Sequence, residues 1–205
     1  MRVSIAERKS RQRAERESQI VAMARTIAEQ DGWEAVTVRR LSQEIEYSQP
    51  VLYSHFENRT AIVTAVAVGG FEELTAELTA AAQAARGQAQ ALERAALAYL
   101  AFAARSPALY DAMFVLPTDL RFADADTRPP LKAAFAALKT VVAPFCDDAD
   151  VTTETFWASL HGLAELERAG RIRPGLHAQR AMLVVRAVLN SRADVDEAGA
   201  IRRAG

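Results

Sequence analysis

The chain is poor in the residues on which most catalytic and metal chemistry depends. Among 205 residues there is one cysteine, Cys146, so no disulfide can close within the chain. A reducing compartment is expected, with Cys146 serving as a buried small hydrophobe. The three histidines, His55, His161 and His177, stand at no metal-ligand spacing with that cysteine or with one another. No glycine-rich phosphate loop and no G-x-S-x-G element occurs. Neither an enzyme, a metal centre nor a cofactor is therefore expected. The cluster Asp147-Asp148-Ala149-Asp150 precedes a helix start, where carboxylates complement the dipole, and capping explains it better than cation binding.

Excess charge is also lacking. A formal net charge of −1 excludes a protein that coats DNA by charge alone, though not one with a local basic surface. No stretch approaches ~20 uninterrupted apolar residues, and the charged N-terminus has no apolar signal region, so the expected setting is the cytoplasm without a membrane. Sustained period-two alternation is missing too, which leaves an all-α chain. What is present is a composition that is half apolar and a quarter charged, enough for a globular core in one large domain or two modest ones.

In chain order, residues 1–17 carry Arg2, Arg8, Lys9, Arg11, Arg13 and Arg16 against Glu7, Glu15 and Glu17, with no apolar face. They read either as a solvated helix start or as a basic arm that neutralises phosphates or enters a minor groove. Ile20, Ala24, Ile27 and Ala28 then mark an amphipathic helix ending at Asp31-Gly32, against which Trp33 and Val36 pack.

The most informative stretch is Thr37–Arg59, TVRRLSQEIEYSQPVLYSHFENR. Thr37 suits the N-cap of a helix over Val38–Ile45, and Ser48 can cap a second one with Pro50 in its first turn. Asn58 can cap a third, beginning at Arg59. Two short helices joined by about three residues form a helix-turn-helix, whose second helix enters the major groove. Gln49 can pair bidentately with adenine, Pro50 and Val51 offer apolar contact to a thymine methyl, and Arg39 can reach guanine or a phosphate.

From Arg59 a helical pattern continues to about Ala85 through Gly69-Gly70, each glycine costing ~1 kcal/mol relative to alanine. Close packing, a kink or a hinge would each account for the pair. Further helices follow Leu92–Ala103, the short segment Ala108–Leu116, the stripe Leu131–Phe145, and two long segments after the loop Pro117–Pro130. Thr152 or Thr153 can cap the first of these two, and Leu176–Ser191 is the second.

Thr37-Val38-Arg39-Arg40-Leu41, Gln49-Pro50-Val51-Leu52-Tyr53-Ser54-His55-Phe56 and Asn58-Arg59 together resemble the tetracycline-repressor (TetR) family of bacterial regulators, over about residues 18–66. The resemblance implies DNA contacts at Thr37, Arg39, Gln49, Pro50, Val51, Tyr53, His55 and Arg59. Thr37, Tyr53, His55 and Arg59 would be phosphate contacts, while the Tyr53 ring could equally pack the domain. The chain departs from the family at Glu46, where a glycine is usual, and at Tyr47, where a small apolar residue is usual. A left-handed Glu46 would cost ~1–2 kcal/mol.

Trp157-Ala158-Ser159-Leu160-His161-Gly162-Leu163 resembles a W-x-x-x-H-G signature in the C-terminal domain of one branch of that family. The resemblance implies that the last two helices pair with their symmetry mates in a homodimer, through Phe156, Leu160, Leu163, Ala164, Ala181, Val184, Val185 and Val188. It also places an effector cavity in the segments carrying Phe71, Leu74, Leu78, Tyr99, Phe102, Tyr110, Met113, Phe114, Phe135, Leu138, Trp157 and His161. That set is large and apolar, suited to a hydrophobic or aromatic small molecule. The organisation implied is a basic arm (1–17), a DNA-binding domain (18–66), an effector-binding and dimerisation domain (67–192) and a polar, disordered tail (193–205). The function implied is a repressor of a palindromic operator released by its effector. The alternatives are an activator or a ligand-independent DNA-binding protein working through a protein partner.

Overall fold

The computed structural model describes residues 4–191 in full and the backbone of 192–204. All its regular elements are helical: α1 (Ile5–Asp31), α2 (Val38–Glu44), α3 (Gln49–His55), α4 (Arg59–Gln83), α5 (Gln88–Arg105), α6 (Pro107–Phe114), α7 (Pro129–Val142), α8 (Ala149–Arg168) and α9 (His177–Ala204). Single 3-10 turns at Trp33–Ala35 and Ala143–Phe145 complete the set. The fold is all-α, as the missing period-two alternation requires. Arg2 lies outside the described residues, and the tail expected over 193–205 falls where side chains are not described.

Local chemistry sets most helix starts. Ser4 and Glu7 form a reciprocal capping box, so the basic lead is the beginning of α1 and not a separate coil. Thr37 Oγ1 accepts from the Arg40 N–H at 3.1 Å, and Asn58 Oδ1 accepts from the Ala61 N–H at 2.9 Å. Ser48 holds the N-cap position of α3, but its hydroxyl makes no capping hydrogen bond. Pro50 in that first turn has no N–H to satisfy, which lowers the need for one. The cap of α8 is Asp148, not Thr152 or Thr153. Its carboxylate accepts from the N–H groups of Asp150 and Val151, both at 3.1 Å. An ionised acceptor at the positive end of a helix outcompetes a hydroxyl. The two threonines instead donate to carbonyls one turn back.

The chain divides into two compact units. The first comprises residues 1–70 and 106–128. Ile20, Ala24 and Ile27 of α1, Trp33, Val36, Leu41 of α2, Leu52 of α3, and Ile62, Val63 and Val66 of α4 form its core. The sequence division at residue 66 left α6 with the C-terminal part, but α6 is fastened to α1. Glu29 accepts from the Ala108 and Leu109 N–H groups at 3.1 and 2.9 Å, and Trp33 Nε1 donates to the Ala108 carbonyl at 2.8 Å. A carboxylate at the N-terminus of α6 also favours its dipole.

The second unit comprises residues 71–105 and 129–205. Leu78, Leu92, Tyr99, Phe102, Leu131, Leu138, Phe156, Leu160, Ala181 and Val185 are among its buried side chains, and Cys146 is buried with them. Lys139 of α7 pairs with Asp150 in the first turn of α8 at 2.7 Å.

Two backbone positions decide local geometry. Glu46, with φ +55°, occupies the left-handed region. The Tyr47 N–H bonds the Ser42 carbonyl at 3.0 Å and the Glu46 N–H the Gln43 carbonyl at 3.4 Å, the Schellman pattern that ends α2. Glycine is the residue this pattern prefers. The Tyr47 hydroxyl donates to Gln19 Oε1 at 2.7 Å and so ties the strained turn to α1. In α4, a methyl group on Gly70 would come within 2.6 Å of Met113 Sδ and 2.9 Å of Leu109 Cδ1, whereas Gly69 has nothing within 4 Å. Close packing thus explains Gly70 and leaves Gly69 unexplained.

These observations fix the sign of three substitutions in urea unfolding. Glu46→Gly should stabilise the protein by about 1 kcal/mol, by relieving the left-handed conformation. Gly69→Ala should also stabilise it by up to ~1 kcal/mol through helix propensity. Gly70→Ala should destabilise it by about 1 kcal/mol through overpacking against α6. Equal effects at the two glycines would contradict the packing assigned to Gly70.

Candidate nucleic-acid interface

The short helices α2 and α3 bury Leu41 and Leu52, half-bury the residues beside them and leave their outer faces to solvent. At the start of α3, Gln49 and Pro50 are exposed and Val51 is half-buried. One turn later Tyr53 is 54% exposed, so its ring is not part of the core. Arg39 is exposed in the first turn of α2, beside the exposed cap Thr37. These six side chains of the α2–α3 pair supply an amide for base edges, apolar groups, a hydroxyl, a phenol and a guanidinium. Such a surface can meet both base edges and phosphates.

The other two expected DNA contacts have internal partners instead. His55, its side chain only 6% exposed, lies with Nδ1 3.2 Å from Glu17 Oε1. Arg59 donates from Nε to the Val36 carbonyl at 3.1 Å and from Nη2 to the Trp33 carbonyl at 2.6 Å. Both help to hold the three-helix unit together through these bonds. Their roles depend on residues 23–38 positions away, a separation no local pattern reveals. Sequence reasoning also missed Arg13, which pairs with Glu17 at 2.9 Å and donates to the Ser54 carbonyl at 3.2 Å. Its only local signal was the i,i+4 spacing with Glu17.

The residues expected around an effector fall in both units. Tyr110, Met113 and Phe114 belong to the first, where Tyr110 and Met113 are buried and the rings of Tyr110 and Phe114 are 4.8 Å apart. The other nine belong to the second. Phe71, Leu74, Leu78, Tyr99, Phe102 and Leu138 are buried, and Phe135, Trp157 and His161 are half-buried. This second group is less uniformly apolar than its composition suggests. Trp157 Nε1 donates to the Tyr99 hydroxyl at 3.0 Å, and the His161 ring lies 6.2 Å from that of Trp157. Burial pushes the His161 pKa below its ordinary value; Glu165 acts against that shift and Arg168 with it. Tyr99, Trp157 and His161 are the polar members of an otherwise apolar set of side chains.

Six of the eight expected dimer residues, Phe156, Leu160, Ala164, Ala181, Val185 and Val188, are buried within the chain itself. Their side chains pack largely within the bundle of α5, α7, α8 and α9, although Phe156 and Val188 also reach the wall of an open groove. Leu163 and Val184 are half-buried. An open, largely apolar groove of about 460 Å³ on these helices is lined by Val151, Thr155, Phe156, Leu183, Val184, Ala187 and Val188. Val151 is 57% and Leu183 64% exposed.

Among the described residues there is no cluster of three or more potential metal ligands and no helix long and apolar enough to cross a membrane. Comparison with known proteins agrees with the geometry. The family description "Bacterial regulatory proteins, tetR family" matches residues 20–66, and "Tetracyclin repressor-like, C-terminal domain" matches residues 92–190, together well over half of the chain. The HTH-type transcriptional regulator Rv0681 of Mycobacterium tuberculosis is 27% identical over 154 residues, which span 74% of this chain and 69% of that protein. A protein of unknown function from Rhodococcus sp. RHA1 superposes with a TM-score of 0.71 at 23% identity, over 85% of this chain and 93% of that one. RolR (NCGL1110), solved with the ligand resorcinol, superposes with a TM-score of 0.60 at 15% identity, over 86% and 89%. At these identities the structural likenesses speak for the fold alone. The helix-turn-helix, the all-helical fold and the two family matches agree: the chain belongs to the TetR family of transcriptional regulators, which are DNA-binding proteins and not enzymes.

Proposed function

We propose that the protein is a cytoplasmic repressor that binds an inverted-repeat operator as a homodimer and is released by a small hydrophobic or aromatic effector. The observation that carries this reading is the exposed set on α2 and α3, with Gln49, Pro50 and Tyr53 free of the core. Gln49 and Val51 would read base edges, with Pro50 beside a thymine methyl. Thr37 and Tyr53 would meet phosphates, and Arg39 a guanine or a phosphate.

Dimerisation through α8 and α9 is supported by the exposed apolar residues Val151 and Leu183. The paired surface in this reading is Val151, Leu163, Leu183, Val184 and Ala187, in place of the stripe that the chain buries for itself. Two recognition helices must then lie ~34–36 Å apart, or a multiple of that, to enter successive major grooves.

The effector would occupy the second unit, among Phe71, Leu74, Tyr99, Phe102, Phe135 and Leu138. The W-x-x-x-H-G residues Trp157 and His161 would supply polar handles, which suits a small aromatic carrying a hydroxyl or similar group. RolR, similar in fold, was solved with resorcinol, a ligand of that kind. An effector shifts the equilibrium only by its differential affinity, so it must bind the free dimer more tightly than the DNA-bound one.

Selection of binding sites from random duplex DNA tests the reading. The expected result is an enriched inverted repeat, with binding weakened at least tenfold by Gln49→Ala and lost with Gln49→Ala and Tyr53→Ala together. No enrichment, with only weak binding that vanishes at moderate salt, would overturn it.

A further inference from the structure

Helix α1 runs for fifteen residues, Ile5 to Gln19, before its first buried side chain, Ile20. A helical stretch of that length without burial is marginal in water. Here it starts in a capping box and is fastened to the helix-turn-helix at three places. Arg13 donates to the Ser54 carbonyl at 3.2 Å, Glu17 meets His55 at 3.2 Å, and Gln19 accepts from the Tyr47 hydroxyl at 2.7 Å. From Arg13 onward the segment is therefore held in place before any DNA arrives, and the capping box fixes the helical start that carries Lys9.

Its charges are sorted by face. With 3.6 residues per turn, Lys9 and Arg16 stand four before and three after Arg13, on the face that meets the end of α3. Arg8, Arg11, Glu7 and Glu15 turn away from that face. Glu17, the acid nearest Arg13 on that face, is already paired with Arg13 and His55. Lys9 and Arg16 are exposed and make no hydrogen bond or ion pair among the described residues. A helix in a major groove is flanked by sugar-phosphate walls, and exposed cations beside the end of α3 would face one of them.

We propose that the first half of α1 is a pre-ordered rail that contacts the phosphates flanking each half-site through Lys9 and Arg16, extending the footprint beyond the groove that α3 reads. The proposal rests on the operator-binding reading above. A pre-ordered helix avoids the ordering cost that a mobile arm would incur on binding. The contacts carry no sequence information; they add affinity and salt dependence.

The experiment uses the full chain and the duplex that the wild type selects. It compares K9Q/R16Q with R8Q/R11Q, two pairs that remove equal charge from the same helix while keeping good helix formers. Affinity is measured across a salt series, with helix content checked by circular dichroism. K9Q/R16Q removes two contacts from each chain of the dimer, so it should flatten the slope of log affinity against log salt by about three to four and weaken binding at least about tenfold at about 0.15 M salt. R8Q/R11Q should leave affinity within about twofold. Equal losses from the two pairs, or no loss from either, would overturn the rail. If the wild type selects no repeat, the operator reading fails by itself. The same comparison on a random duplex of about 30 base pairs then still decides the rail, by whether the two slopes differ.

Discussion

Helices α2 and α3 are seven residues each, too short to persist alone in water, and the DNA-reading surface exists only because α1 gives them something to pack on. Ile20, Ala24 and Ile27 supply the apolar stripe, and Leu41 and Leu52 are buried to within 1%. One fully buried residue on each short helix leaves one face of each available. That economy allows Gln49, Pro50 and Tyr53 to stand clear of the core on a helix of two turns. The polar ties around this small core then have a definite role. Arg59 bonds the carbonyls of Trp33 and Val36 at the two ends of the 3-10 turn, His55 and Glu17 close the far end of α3, and Tyr47 pins the inter-helix turn to Gln19.

The turn between α2 and α3 shows how the chain handles a local conflict. The geometry calls for a left-handed residue and the sequence supplies glutamate, at a cost of ~1–2 kcal/mol. The next residue, Tyr47, makes a long-range hydrogen bond that a small apolar side chain would not. Cost and compensation are adjacent in sequence, and the expected helix-turn-helix geometry survives both departures from the family pattern.

What the sequence disclosed followed the range of the interaction. Thr37, Asn58, Pro50 and the Asp31-Gly32 stop act within four residues, and each could be assigned from local rules. The left-handed turn at Glu46 was legible as a condition, because the position within the motif demanded it. Where the determinant is remote, local rules failed. The family pattern marks His55 and Arg59 as phosphate contacts, while their bonds to Glu17, Trp33 and Val36 had no local signal. In α8 and α9 the apolar stripe was real, but periodicity does not say which neighbour covers it. Phe156, Leu160 and Val185 are covered by the chain itself, and the open apolar surface lies instead around Val151 and Leu183. Asp148 displaced Thr152 and Thr153 as a cap because an ionised acceptor is stronger, a competition that residue preference alone left undecided.

The central claim is that this reading surface acts in pairs. Its most direct test is the mass of the complex between the full-length protein and its selected duplex, measured by native mass spectrometry near the dissociation constant. Two chains per inverted repeat, with no abundant one-chain species, is the expected result. One chain per duplex across the titration would contradict a homodimer built on α8 and α9, and with it the pairing of recognition helices on which the proposed repression depends.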